Sequence, residues 1–356
     1  MQTFFKKLKV VELASVLAGP SVGQFFAELG AEVLKIENKN LGGDITRTWK
    51  LAIEDSDHPY SAYYSSVNYG KKSIFLDLKK ERDYKVIESH LKNADVVICN
   101  FKPGDDKKLK LDFDSVKQLN PKIIYGEITG FPMSNRLAYD VVLQAESGFL
   151  AMSGTSNGEL CKMPVALIDV LAAHQLKEGI LLSMLQQQIN KKAIKVSVSL
   201  FDAALAGLVN QASNWLMAKH IAQPMGTLHP NIAPYGELFT CKDDKQLVLA
   251  IGTNRQFKSL CKCLKMDAII YDSRFKDNTD RITNRKELQG MLASKIKSYD
   301  RKELIQQFIN SDIPAGAVRK MDEVFELNDA QERIISELKE GKKLISIKGN
   351  AFKIEE

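Results

Sequence analysis

The chain has 356 residues, 44% of them apolar, and carries 50 basic against 44 acidic residues for a net charge of +6. That length predicts two domains with full cores; the interspersed charges exclude a nucleic-acid-binding stripe, while the mild basic excess favours anionic ligands. The longest apolar runs fall far short of a membrane span, and Lys6, Lys7 and Lys9 lead into Glu12 rather than into a long apolar stretch, so a soluble, cytoplasmic protein with no signal peptide and no membrane partner is expected.

Val10 to Ala14 is an apolar run of strand length. Gly19-Pro20 marks a turn after it, Pro20 to Leu29 repeats apolar residues at helical spacing, Gly30 stops it, and Ala31 to Ile36 is a second strand. Strand, helix and strand in about thirty residues make one right-handed βαβ crossover. Further strands are predicted at Ser73 to Leu78, Asp95 to Cys99 and Lys122 to Ile128, separated by helices over Lys79 to Lys92 and Leu111 to Leu119. Helices over Tyr139 to Ala151 and Val170 to Gln188, a strand at Ala193 to Ser199 and a long helix from Phe201 to His220 complete a doubly wound, mostly parallel, Rossmann-like α/β domain over residues 1–220. A loop rich in Pro, Gly, Asn and His (Gln223 to Tyr235) opens a smaller α+β domain over 221–329, with a strand-turn-strand at Glu237 to Ile251 and helices from about 255 to 310.

The five cysteines are scattered apart from Cys261 and Cys263, a pair too tight for a usual zinc site, so neither metal nor disulfide is expected. The βαβ unit lacks the G-x-G-x-x-G turn that lets backbone approach a pyrophosphate, since the turn reads LAGPSVG, and this argues against a nicotinamide dehydrogenase. The five histidines are dispersed and make no Ser-His-Asp pattern.

The segments LAGP, LGAEVLKIE and GD-x-x-R in the first fifty residues are succeeded in order by NYGKKSIFLDLK, ADVVICNFKPG, ITGF, YDVVLQAESG, HPNIAPYGEL, DSRF and IPAGAV. Together they resemble the family III CoA-transferases (the CaiB/BaiF family), the group that includes formyl-CoA and carnitine CoA-transferases. The resemblance implies an enzyme that moves CoA between two acids by covalent catalysis, through aspartyl anhydride and aspartyl-CoA thioester intermediates, with acyl-CoA and small carboxylates as substrates, a succinyl-CoA-like donor, and no cofactor beyond CoA itself. It also implies an interlocked homodimer in which residues 330–356 return to the first domain.

By matching positions the nucleophile would be Asp169, in MPVALIDVLAAHQLKEG. A carboxylate suits this role because moving CoA between acids needs an acyl-bearing group that is itself an acid, which keeps the enzyme thioester close to the substrates in energy. Asp169 also precedes a helix-like run, so it reads as an N-cap whose pKa the helix N-terminus would lower. Backbone amides near Ser15 to Ala18 and near Asp169 are candidate oxyanion donors. CoA would lie against Leu17, Ala18, Asn38, Leu76, Asp77, Leu78, Lys79, Asn100, Phe101, Lys102, Lys108, Arg136, Leu137, Ala138 and Tyr139, most of them at strand ends, where open α/β sheets bind ligands. Asn38 stands where some relatives have an arginine, and no run of consecutive glycines comes after Gly43 to shield the anhydride. Two alternatives share the fold. A 2-methylacyl-CoA racemase would use a His and Asp pair, but Tyr139-Asp140 stands where its histidine would precede an aspartate. A non-catalytic CoA-binding protein would not need Asp169.

Overall fold

The computed structural model describes residues 5–134 and 136–355. The chain divides into two compact units, one of Met1–Leu150, Lys162–Ile221 and Gln331–Glu356, the other of Ala151–Cys161 and Ala222–Ala330.

The first unit is built on a parallel sheet of six strands, β1 (Lys9–Leu13), β2 (Glu32–Asn38), β3 (Lys71–Leu76), β4 (Val96–Cys99), β5 (Ile124–Thr129) and β6 (Ile194–Ser199), in the order β3-β2-β1-β4-β5-β6. Val10 is paired with Val33 on one side and Val96 on the other. Successive residues face opposite ways, so Val10, Val33, Val96 and Ile98 join one core and Val11, Leu13, Val97 and Cys99 the other. Helices cover both faces, which is why the central strand β4, VVIC, reads as an unbroken apolar run, whereas the edge strand β6, IKVSVS, alternates. The winding reverses between β1 and β4, and the loops leaving their carboxyl ends diverge there.

Helices α1 (Ala18–Glu28) and α2 (Leu167–Asn190) pack on the first face. α2 lies close to the sheet: a Cβ on Gly126 would stand 2.9 Å from Ile180 and one on Gly179 2.5 Å from Val196. The helix thus carries its first turn to the carboxyl edge of β5 and β6. Two expected helices are divided. The Tyr139 to Ala151 stretch becomes α-helices Asp140–Glu146 and Phe149–Met152, with Gly148 at φ +90° between them. The Phe201 to His220 stretch becomes Leu200–Gly207 and Asn210–Ala218, broken where Val209 takes φ +46°. An antiparallel hairpin, Ile334–Lys339 with Lys342–Ile347, belongs to this unit and is fastened to it by Lys339 Nζ donating to Ser73 Oγ (3.2 Å) and by Tyr60 donating to Glu340 (2.9 Å).

The second unit has a three-stranded antiparallel sheet of Tyr235–Thr240, Gln246–Ala250 and Ala315–Ala317. Helices Asn254–Cys263, Arg285–Ile296 and Arg301–Asn310 close a core on it around Phe239, Leu249, Phe257 and Phe308. The segment Ala151–Cys161 joins this unit rather than the first. No described helix is long and apolar enough to cross a membrane.

Candidate active site

At the reversal between β1 and β4 a cleft of about 910 Å³ opens within the first unit. Its walls are the loop after β1, the loop after β4 and the chain that leaves β5 as far as Asp140, with Asp169 at the edge of α2. Asn100 ties two of these walls together: its Nδ2 donates to the Ser15 carbonyl (2.8 Å) and its Oδ1 accepts from the Ser15 amide (3.0 Å).

Asp169 is not the cap of its helix. α2 begins at Leu167 after Ala166, so Asp169 is its third residue, and the cap comes from elsewhere: Asp140 Oδ1 accepts from the Ile168 amide at 2.7 Å. Asp140 is fixed in turn by Gln144, whose Nε2 donates to Oδ2 (2.6 Å) and whose Oε1 accepts from the Met163 amide (2.9 Å). Asp169 is only 9% exposed, and among the described residues its carboxyl has no hydrogen bond and no cation. Burial, helped by the negative charge of Asp140, pushes its pKa up to about 7. The helix terminus was expected to lower it; desolvation and a like charge outweigh that dipole.

Tyr63 escaped the sequence reading. It lies in the short helix Ala62–Ser65, and its ring meets Trp49, part of the cleft wall, edge to face at 5.1 Å. Burial, then the charges of Asp169, Asp140 and Asp44, raise its pKa to about 12, so the phenol keeps its proton beside the carboxylates. Nothing in SAYYSS separates this tyrosine from its buried neighbour Tyr64.

Of the positions implicated for CoA, Leu17, Ala18, Asn100, Phe101, Lys102, Arg136, Leu137, Ala138 and Tyr139 line the cleft together with Asp169. Arg136 pairs with Glu146 and lies over the Phe131 ring, 4.6 Å from its centre. The remaining positions stand apart from the lining. Asn38 accepts from the Asn40 amide (2.9 Å), Leu76 is in the core, Leu78 packs on that core, Asp77 accepts from the Lys79 amide (3.2 Å), and Lys79 is exposed. Lys108 pairs with Asp105 at 2.9 Å, and its neighbour Lys107 lines the cleft instead. The described lining contains no histidine.

Comparison with known proteins shows the family. The model of the family described as CoA-transferase family III matches residues 5–356. The chain is 34% identical over 333 residues to the succinate–glutarate CoA-transferase of Agrobacterium fabrum, spanning 92% of this chain and 82% of that protein. It is 33% identical to the succinyl-CoA:glutarate CoA-transferase of Homo sapiens over 89% of this chain and 72% of the relative. The crystal structure of a CaiB/BaiF family protein from Brucella suis superposes with a TM-score of 0.88 at 33% identity, covering 98% of this chain and 92% of that one.

Proposed function

We propose that this chain, which belongs to CoA-transferase family III, moves CoA from an acyl-CoA to a free carboxylic acid through two covalent forms of Asp169. The carboxylate attacks the donor thioester carbonyl, the C–S bond breaks, and CoA leaves as thiolate from an aspartyl-acyl anhydride. The thiolate then attacks the Asp169 carbonyl of the anhydride, giving an aspartyl-CoA thioester and releasing the donor acid. The acceptor carboxylate attacks that thioester, expelling thiolate and forming a second anhydride. Attack of the thiolate on the acceptor's acyl carbon yields the new acyl-CoA and restores the Asp169 carboxylate. No net proton is consumed.

One observation carries this reading: a nearly buried carboxylate, without a hydrogen-bond donor or cation among the described residues, borders the cleft at the sheet's reversal. A carboxylate without donors and largely desolvated is a stronger nucleophile than one held by donors, and a pKa near 7 leaves it ionised often enough to attack at neutral pH. A racemase would use a histidine beside an aspartate, and the described lining contains no histidine. CoA is placed along Leu17 and Ala18, Asn100 to Lys102 and Arg136 to Tyr139, with Lys102 and Lys107 available for its phosphates. The substrates are small dicarboxylic acids and their CoA thioesters, by likeness to the succinyl-CoA and glutarate enzymes. The active species is a homodimer, which light scattering tests; exposed Leu182, Leu185, Trp215, Leu216 and Met217 offer apolar surface for it.

Mixing the protein with succinyl-CoA and hydroxylamine is expected to yield a hydroxamate on Asp169 by mass spectrometry. Asp169→Ala and Asp169→Asn are expected to lose transfer roughly 10⁴-fold or more. Parent-like turnover by either variant would overturn the assignment.

A further inference from the structure

The Gly-Asp-x-x-Arg segment reaches the cleft through a backbone rather than a substrate. Val16, between β1 and α1, has φ +73°, a left-handed conformation that a β-branched residue avoids. Its amide donates to both oxygens of Asp44, at 3.2 and 3.3 Å. Asp44 is buried and ion-paired at 3.0 Å with Lys35 of β2, whose Nζ also donates to the Ala14 carbonyl (2.8 Å) and to Glu12 (2.8 Å). One fully buried lysine and its carboxylate therefore hold the peptides on either side of Ser15. Beyond Val16, the amides of Leu17 and Ala18 have no protein acceptor among the described residues, and both residues line the cleft with Asp169.

We propose that Asp44, braced by Lys35, is a positioning residue that holds Val16 in its left-handed conformation, so that the Leu17 and Ala18 amides face the oxyanion formed at Asp169. This rests on the covalent mechanism proposed for Asp169. If Val16 relaxed to an ordinary conformation, its flanking peptides would rotate and those donors would turn away, whereas binding of the distant parts of CoA would be kept. The deficit then falls on kcat rather than on KM.

The test sets Asp44→Ala and Asp44→Asn beside the same substitutions in a Val16→Gly background, because glycine adopts this conformation without Asp44. Asp44→Ala is expected to lower kcat ~100-fold, the size of one lost oxyanion donor, with KM for acyl-CoA changed less than about threefold. Asp44→Asn, which keeps an acceptor for the Val16 amide, is expected to lose about tenfold. In the Val16→Gly background both losses are expected to shrink by about tenfold. Should Asp44→Ala not fold, the Asn pair decides alone. An equal loss in both backgrounds, or a loss in KM alone, would overturn the proposal, since a purely structural role is not rescued by glycine. Hydroxylamine trapping on the parent separates the two readings: no adduct there overturns the covalent mechanism, whereas an adduct in the parent with unaffected Asp44 variants overturns only the positioning role.

Discussion

Two buried carboxylates in the first unit, Asp169 and Glu37, live under opposite electrostatics. Glu37 accepts from Arg47 Nε at 2.7 Å and Nη2 at 2.5 Å, from the Tyr64 hydroxyl at 3.0 Å and from the Asp44 amide at 2.8 Å. Burial alone would raise its pKa, but the Arg47 hydrogen bonds and charge overcome that and bring it down to about 2. Asp169 is buried to a similar degree, has no such partner, and faces Asp140; its pKa rises to about 7. Burial therefore does not decide what a carboxylate becomes. The donors around it do, and the one left without donors borders the cleft.

The largest expected effect comes from breaking the paired side of this contrast. Arg47→Met removes the guanidinium from Glu37 and from its stack over Tyr60, Tyr64 and Phe75, leaving a buried charge without its cation. Loss of one partner of a buried pair costs about 3–5 kcal/mol, and urea unfolding should show a fall in unfolding free energy of that size. A change below about 1 kcal/mol would mean that the pair is solvated and the contrast with Asp169 illusory.

The unpaired side predicts the opposite sign. Asp169 has a folded pKa of about 7 against ~3.9 in an unfolded chain. The stability associated with its neutral form is fully present below pH ~3.9 and is lost as pH rises through 7. Glu37, with its folded value lowered, contributes stability that is present above pH ~4.3 and is lost as pH falls towards 2. Asp169→Asn should therefore stabilise the protein at pH 8, on the order of 2 kcal/mol once residual solvent contact is allowed for, while abolishing transfer. In the parent, kcat/KM should rise with pH up to about 7 as the nucleophile ionises, and Asp140→Asn, by removing the like charge, should move that limb to lower pH. A melting curve for Asp169→Asn indistinguishable from the parent at pH 8 would remove the strain from the picture.

The paired network and the unpaired site differ in how far sequence reveals them. Val10 to Ala14 and Ala31 to Ile36 announce buried strands because helices cover both sides of the sheet and most positions are apolar; the buried exceptions, Glu12 and Lys35, pair with each other. The residues at the β1 and β4 ends are dictated by the winding, which is why Leu17, Ala18, Asn100 and Phe101 fall on the cleft. Local pattern could not reveal that Asp140 caps the helix of Asp169, because that hydrogen bond joins residues 28 apart. It likewise missed the break at Val209, a β-branched residue in a run with helical periodicity. Asn38 and Leu76 to Lys79 sit at the ends of β2 and β3, outside the lining of the cleft.

The smallest expected effect sharpens what surrounds Asp169 rather than what it lacks. Tyr63 retains its proton because burial and three nearby carboxylates oppose phenolate, so it is a donor held beside the nucleophile. A donor aimed at the free carboxylate would weaken attack, whereas one aimed at an incoming acyl oxygen would help it; the absence of a Tyr63–Asp169 hydrogen bond among the described residues favours the second. Tyr63→Phe preserves the edge-to-face contact with Trp49 and deletes only the hydroxyl. A single neutral hydrogen bond contributes about 0.5–1.5 kcal/mol, so kcat/KM should fall up to about tenfold with thermal stability unchanged and the acid limb of the pH profile still near 7. A rise in activity would place the hydroxyl on the ground-state carboxylate and would make Asp169 a partnered group after all.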